Sequence, residues 1–323
     1  MSKELYLNYK YIWQQCDNTM DSLFAYIQQY PSIVMDSYGN ITVKNTLANK
    51  PLPVFCCHLD TVHGSEPSPT LIKDDVLISF NGHGIGGDDK CGIIACLELL
   101  QKVECKCIFF RDEEKGCLGS KEYDTKTLKN DLFCIEIDRR NACDLIVKSG
   151  GASMCSKEFL DRVKEALPHC KEADGLFTDV SRLGDAEINM LNISSGYYQP
   201  HTDKEYVVLS ELQANIDGLA MLANNLVKKP LKTTVFKRKG EYKYVYTEKA
   251  QRVGCQQPKQ HTFWEDDRND ADYNALEHGY YGGRGSDDYP VSYDNSGNAA
   301  EQQELKEYFE SIGIKTEEET NVK

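Results

Sequence analysis

Three short apolar runs constrain this chain more than any other feature: Leu52-Pro53-Val54-Phe55-Cys56-Cys57, Cys107-Ile108-Phe109-Phe110 and Leu132-Phe133-Cys134-Ile135-Glu136-Ile137. None alternates regularly with polar residues, which is the pattern of a strand covered on both faces. Helical spacing separates them. Asp89 to Val103 reads as a helix, as do 156–168 and 207–229, and Ile188 to Ile193 reads as a further strand. Apolar positions from Tyr9 to Ile27 predict an amphipathic first helix over 8–29. Ser32–Asp36 and Ile41–Lys44 flank Ser37-Tyr38-Gly39-Asn40 and predict a hairpin, and Leu71 to Phe80 predicts a second strand pair around Asp74-Asp75. The expected fold class is α/β, a mostly parallel mixed sheet with helices on both faces.

Each apolar run ends in residues that carry chemistry. His58-Leu59-Asp60 closes the first, Arg111-Asp112-Glu113-Glu114 the second and Asp138 the third. In open α/β sheets the C-terminal strand edge is where ligands bind. The stretch Gly84-Ile85-Gly86-Gly87-Asp88-Asp89-Lys90-Cys91-Gly92 places two carboxylates in a glycine-rich turn that opens a helix. With His201, the chain has the inventory needed to hold two metal ions on one shared carboxylate.

Asp88 is the candidate bridge, offering one oxygen to each of two ions about 3.5–4 Å apart. His58 and Asp138 would complete one set of ligands, Glu114 and His201 the other. Glu136 lies on the same strand face as Asp138, and either could be the third carboxylate; Asp138 is preferred because it is nearer the strand end. Glu113 stays off the ions as general base. Asp60, two residues from His58, can accept a hydrogen bond from the ring nitrogen that faces away from the metal. His63 and His83 flank the motifs as surface or supporting residues. Thr178-Asp179 and Tyr197-Tyr198 could line a substrate pocket or belong to core and loops.

These motifs resemble, in order and wording, those of the co-catalytic dizinc exopeptidases, the aminopeptidases, di- and tripeptidases and related carboxypeptidases. Cys57-His58-Leu59-Asp60-Thr61-Val62 is similar to their His-x-Asp motif, and Gly87-Asp88-Asp89-Lys90-Cys91-Gly92 to their bridging-aspartate motif. Asp112-Glu113-Glu114-Lys115-Gly116 is similar to the paired-glutamate motif, Ile137-Asp138 to the third carboxylate and Pro200-His201-Thr202 to the last histidine. The resemblance spans about residues 5–230 and implies two Zn2+, with Mn2+ or Co2+ also suited to the donor set. It implies a cis peptide at Asp88-Asp89 and a short-peptide substrate. Many members carry a large inserted lid. Here only 28 positions separate Asp60 from Asp88 and 63 separate Asp138 from His201, so a bare catalytic domain is expected. The alternatives are an N-acyl amino acid amidohydrolase at the same site, or an inactive scaffold whose acidic tail recruits a partner.

Composition adds boundaries. The net charge of -14 argues against nucleic acid and anionic membranes as partners. No apolar run is long enough to span a membrane, and no signal peptide is read at the start. Of thirteen cysteines, none forms a Cys-x-x-Cys pair; they read as reduced core residues of a cytoplasmic protein rather than zinc ligands. The catalytic domain is expected over 1–231. Residues 232–260 form a basic segment with eight Lys/Arg against two Asp/Glu, and 261–323 an acidic stretch with five against sixteen. The acidic stretch is expected to be largely disordered, with a short terminal helix over 301–312.

Overall fold

The computed structural model describes residues 2–14, 19–63, 70–79, 83–175, 177–238 and 315–316. Along the chain run α1 (Ser2–Asn8), α2 (Lys10–Gln14), α3 (Thr19–Ile27), β1 (Ser32–Met35), β2 (Ile41–Lys44), β3 (Pro53–His58), β4 (Thr70–Lys73) and β5 (Val76–Ser79). Next come α4 (Gly87–Lys102), β6 (Lys106–Phe110), α5 (Leu118–Glu122), β7 (Phe133–Arg139), β8 (Asp144–Ser149), β9 (Ala152–Ser153), α6 (Lys157–Ala166) and β10 (Lys171–Gly175). The remainder are α7 (Asp179–Arg182), β11 (Met190–Ser194), β12 (Tyr197–Tyr198), β13 (Tyr206–Val208), α8 (Leu209–Lys228) and β14 (Lys315–Thr316).

The main sheet has ten strands in the order β10-β8-β11-β7-β3-β6-β2-β1-β14, with β9 paired to β8. Its centre, β11-β7-β3-β6, is parallel throughout. The three apolar runs are β3, β6 and β7, and β3 and β6 are buried along their whole length. Alternate residues of β3 point to opposite faces. Val54 and Cys56 join Ile108, Phe110, Cys134 and Val180 in one core layer. On the other face Phe55 meets Phe133 edge-on, with ring centroids 5.7 Å apart. Each such side chain contributes roughly 1.5–3 kcal/mol by leaving water.

The predicted hairpin forms with Met35 opposite Ile41, and the predicted second pair forms as β4 and β5. That pair joins β12 and β13 in a separate antiparallel sheet, ordered β12-β13-β5-β4. Where one helix is predicted over 8–29, the described residues form α2 and α3, and α1 ends at Asn8 before them. They keep one buried side, with Leu5, Tyr9, Ile12, Trp13, Leu23, Phe24 and Ile27 all buried.

The basic segment starts on the body of the fold. Val235 bridges Ile188, and the Arg238 guanidinium donates to the carbonyls of Ser181 at 2.6 Å and Val180 at 3.0 Å. The rest of that segment, and the terminal helix expected over 301–312, lie outside the described residues. Within the acidic stretch, Lys315 and Thr316 pair in parallel with Val34 and Met35. Ten of the described cysteines are free and buried, whereas Cys143 is disulfide-bonded, so the reading of the cysteines as reduced does not hold there. Among the described residues, no helix is long and apolar enough to cross a membrane.

Candidate metal centre

Strand register assembles the site. Cys56 of β3 pairs with Glu136 of β7, so two residues further on His58 and Asp138 stand side by side at the C-terminal edge. His58 itself pairs with Phe110, the last residue of β6, and the chain then turns through Asp112 (φ 56°) into Glu113 and Glu114. Asp88 enters from the non-helical kink at the start of α4. Gly86 precedes it in the left-handed region (φ 65°), and Lys90 folds back to the Ile85 carbonyl at 2.7 Å, tightening the glycine turn. The Asp88–Asp89 peptide is cis, as the resemblance implies. His201 arrives from the loop between β12 and β13, also left-handed (φ 62°).

The two imidazoles reach opposite oxygens of one carboxylate. His58 Nε2 lies 3.0 Å from Asp88 Oδ1 and 3.5 Å from Asp138 Oδ1. His201 Nε2 lies 3.3 Å from Asp88 Oδ2 and 3.0 Å from Glu114 Oε1. Donor atoms of His58, Asp88 and Glu114 fall within 4.8 Å of one another, as do those of His58, Asp89 and Asp138. Asp89 is already committed to backbone: it accepts from His58 N at 3.3 Å and Gly92 N at 2.9 Å. Glu136 turns away, its oxygens accepting the Asp179 and Val180 amides at 3.0 and 3.1 Å. Of the two carboxylates left open by the sequence, the structure thus puts Asp138 beside His58. The group of His58, Asp88 and Glu114 offers mixed nitrogen and oxygen donors that could hold a metal ion.

No protein-family model matches the sequence, and no curated protein matches it. Solved structures do. Aminopeptidase PepT from Bacillus cereus ATCC 10987 superposes with a TM-score of 0.59 at 13% identity, over 70% of this chain and 99% of that one. A tripeptidase from Staphylococcus aureus subsp. aureus mu50 gives 0.57 at 14% identity, over 71% and 99%. Aminopeptidase APDkam598 from Desulfurococcus kamchatkensis gives 0.53 at 13%, over 69% and 94%. The chain shares the fold of these aminopeptidases and this tripeptidase.

Among the described residues, both gaps between the motifs carry strands. β4 and β5 lie between Asp60 and Asp88, and β8 to β12 lie between Asp138 and His201.

Electrostatics follow from packing carboxylates around imidazoles. Burial alone would lower the His58 pKa, but Asp138, Asp60 and Asp88 outweigh it and hold the ring well above its ordinary value. Hydrogen bonds donated to Asp88 and Glu114 push His201 up to about 11. Burial would raise Asp88, yet the two histidines bring it below the usual carboxylate range. Burial and the Asp88 charge push Asp138 up to about 7. Burial raises Glu113 well above the ordinary value despite the opposing pull of His58, and the charges of Asp138, Asp179 and Glu114 add to the rise.

His58 Nδ1 is buried without a hydrogen-bond partner, so the bond expected to Asp60 is not made; Asp60 holds backbone instead. Its Oδ1 lies 3.4 Å from His58 Nδ1, and its two oxygens also accept the Glu113 and Glu114 amides, both at 3.0 Å. Asp112 faces away from the site, accepting from Tyr38 at 2.9 Å and Lys115 at 2.8 Å. Tyr197 donates its hydroxyl to Asp138, 3.2 Å from the carbonyl oxygen and 3.3 Å from Oδ1. Asp179 is fully buried and accepts from Ser120 at 2.6 Å, so it belongs to the support beneath the site. His63 bonds Glu205 at 2.8 Å, a supporting role, and His83 is exposed. Sequence reasoning missed Glu205, and missed Cys117, whose thiol donates to Glu113 Oε1 at 3.4 Å. Neither carries a motif signal of its own.

Proposed function

We propose that this chain is a metal-dependent exopeptidase acting on short peptides, with two divalent ions, preferably Zn2+, held by His58, Asp88, Glu114, Asp138 and His201. The observation that carries the reading is the division of His58 and His201 between the two oxygens of Asp88. Bound ions would polarise the scissile carbonyl and lower the pKa of a water. Glu113 is the general base. It takes a proton from the attacking water and hands it to the leaving amine. Asp60 fixes the backbone from which Glu113 projects and faces the outer nitrogen of His58. The buried free thiols support a cytoplasmic location.

The test is hydrolysis of amino-acid anilides and di- and tripeptides, against N-acyl amino acids, by protein loaded with Zn2+, Mn2+ or Co2+. Anilide and peptide cleavage, lost on chelation and restored by metal, is expected. Cleavage of N-acyl amino acids alone would move the same site to an amidohydrolase. Chelator-resistant turnover would overturn the metal mechanism.

A further inference from the structure

Glu205 is a carboxylate with almost no exposure, 2% for the residue, and its hydrogen bonds go to Gly86 N, Asp88 N and His63. Two of its partners are backbone amides. Oε2 accepts the Gly86 amide at 2.7 Å, and Oε1 accepts the Asp88 amide at 2.9 Å. His63 Nε2 completes the set at 2.8 Å from Oε2. The backbone is non-helical at Asp88 (φ -83°, ψ 99°) and Asp89 (φ -120°, ψ 43°), so the amides of this turn need partners from outside the regular helix that follows. Glu205 supplies two of those partners from a distant part of the chain.

The surroundings are shaped for it. A Cβ on Gly87 would come within 2.8 Å of Tyr197 and Val207 and 3.3 Å of Glu205 Oε1, and one on Gly84 would overlap the His63 ring at 2.2 Å. These two glycines leave room for the carboxylate and its histidine. Glu205 also follows His201 by four residues, and His63 follows His58 by five. One buried carboxylate therefore ties together the segments that carry His58, Asp88 and His201.

We infer that Glu205 is a positioning residue: by gripping the amides of Gly86 and Asp88 it fixes the direction in which the Asp88 carboxylate leaves α4, and so the placement of both metal subsites. The inference rests on the reading of Asp88 as the shared ligand.

The experiment compares wild type with Glu205→Ala and Glu205→Gln. Titration calorimetry with Zn2+ reads metal affinity, and NMR amide exchange in chelated protein reads the grip itself. Both variants should bind Zn2+ about 10–100-fold more weakly, the usual cost of removing an outer partner of a ligand. Glu205→Gln should lose less, since its one oxygen can still accept one amide. The Gly86 and Asp88 amides should exchange faster while those of β3 and α8 keep their protection. A residue serving only general stability would lower the melting temperature and leave the affinity of the folded fraction unchanged; that result overturns the inference. Where Glu205→Ala does not fold, the isosteric Glu205→Gln decides. If wild type itself binds no Zn2+, the dimetal reading fails. The grip is then judged by exchange alone, and unaltered exchange at Gly86 and Asp88 disproves it.

Discussion

Asp60 holds the backbone of Glu113: its Oδ1 accepts that amide at 3.0 Å, and its Oδ2 accepts the next one, of Glu114, at 3.0 Å. The same carboxylate faces His58 Nδ1 at 3.4 Å. A proposed ligand, the proposed base and a second ligand are thus referred to one side chain. Asp60→Asn keeps the size but turns an N–H2 toward one of the two amides. Its kcat/KM on a peptide substrate should fall about 10–100-fold. The folded fraction should stay close to wild type, and circular dichroism with steady-state kinetics checks both. Wild-type kinetics would show that the grip on Glu113 and Glu114 has no bearing on turnover.

Adjacent glutamates are assigned different tasks. Glu114 lies 3.0 Å from His201 Nε2, whereas Glu113 has the Cys117 thiol on Oε1. Glu113→Gln cannot accept a proton and should cut turnover by about 10²–10⁴-fold with both ions bound. Glu114→Gln replaces an anionic donor by a neutral one and should lose affinity at one ion first. Excess Zn2+ should partly restore Glu114→Gln and leave Glu113→Gln unchanged. Metal content and rate on both variants decide the matter, and the reverse pattern would exchange the roles.

The pKa shifts give a pH dependence for metal-free protein. His201 is raised to about 11 and Asp138 to about 7, with His58 also raised. A group raised on folding stabilises fully below its unfolded pKa, about 4 for Asp and 6.5 for His. That contribution is lost as pH climbs through the folded value. Asp88, lowered, has the opposite sign and contributes above about pH 4. Chelated protein should therefore be more stable near pH 5–6 than near pH 9, because there the imidazoliums offset the crowded carboxylates. Divalent metal should stabilise it most at the alkaline end, where ligands need not shed protons. Melting temperatures with and without Zn2+ across that range test this; a chelated protein that gains stability toward pH 9 contradicts it.

The legible parts of this fold are those in which one residue pattern meets one environment. β3, β6 and β7 are buried on both faces, so their apolar runs and the chemistry at their ends could be read directly. β10, Lys171–Gly175, is an edge strand with mostly exposed residues, and its sequence KEADG carries no strand signal. β12 and β13 are two and three residues long, too short for a period. The choice between Asp138 and Glu136 required register, since both occupy one strand face, and only the amides of α7 show where Glu136 turns. Glu205 was illegible for a related reason. Its role is defined by amides more than a hundred residues away, not by neighbours in the chain.

The acidic stretch gives the last prediction. Every proposed ligand precedes residue 202, and the described contact of 261–323 with the body is the pairing of Lys315 and Thr316 with β1. Two residues of parallel ladder contribute on the order of 1–3 kcal/mol, at about 0.5–1.5 kcal/mol per net hydrogen bond. Deleting 261–323 should thus leave metal affinity and kcat/KM within about twofold of wild type, since less than about 0.4 kcal/mol at the site corresponds to that change. Stability should fall modestly, because β1 becomes an unpaired edge. That edge predicts a second effect: the truncated protein should self-associate more readily than the full chain. Light scattering on both proteins, beside kinetics and a denaturant titration, reads all three. Loss of turnover with folding intact would place part of the stretch at the site, contrary to the proposal that 1–231 is the catalytic domain.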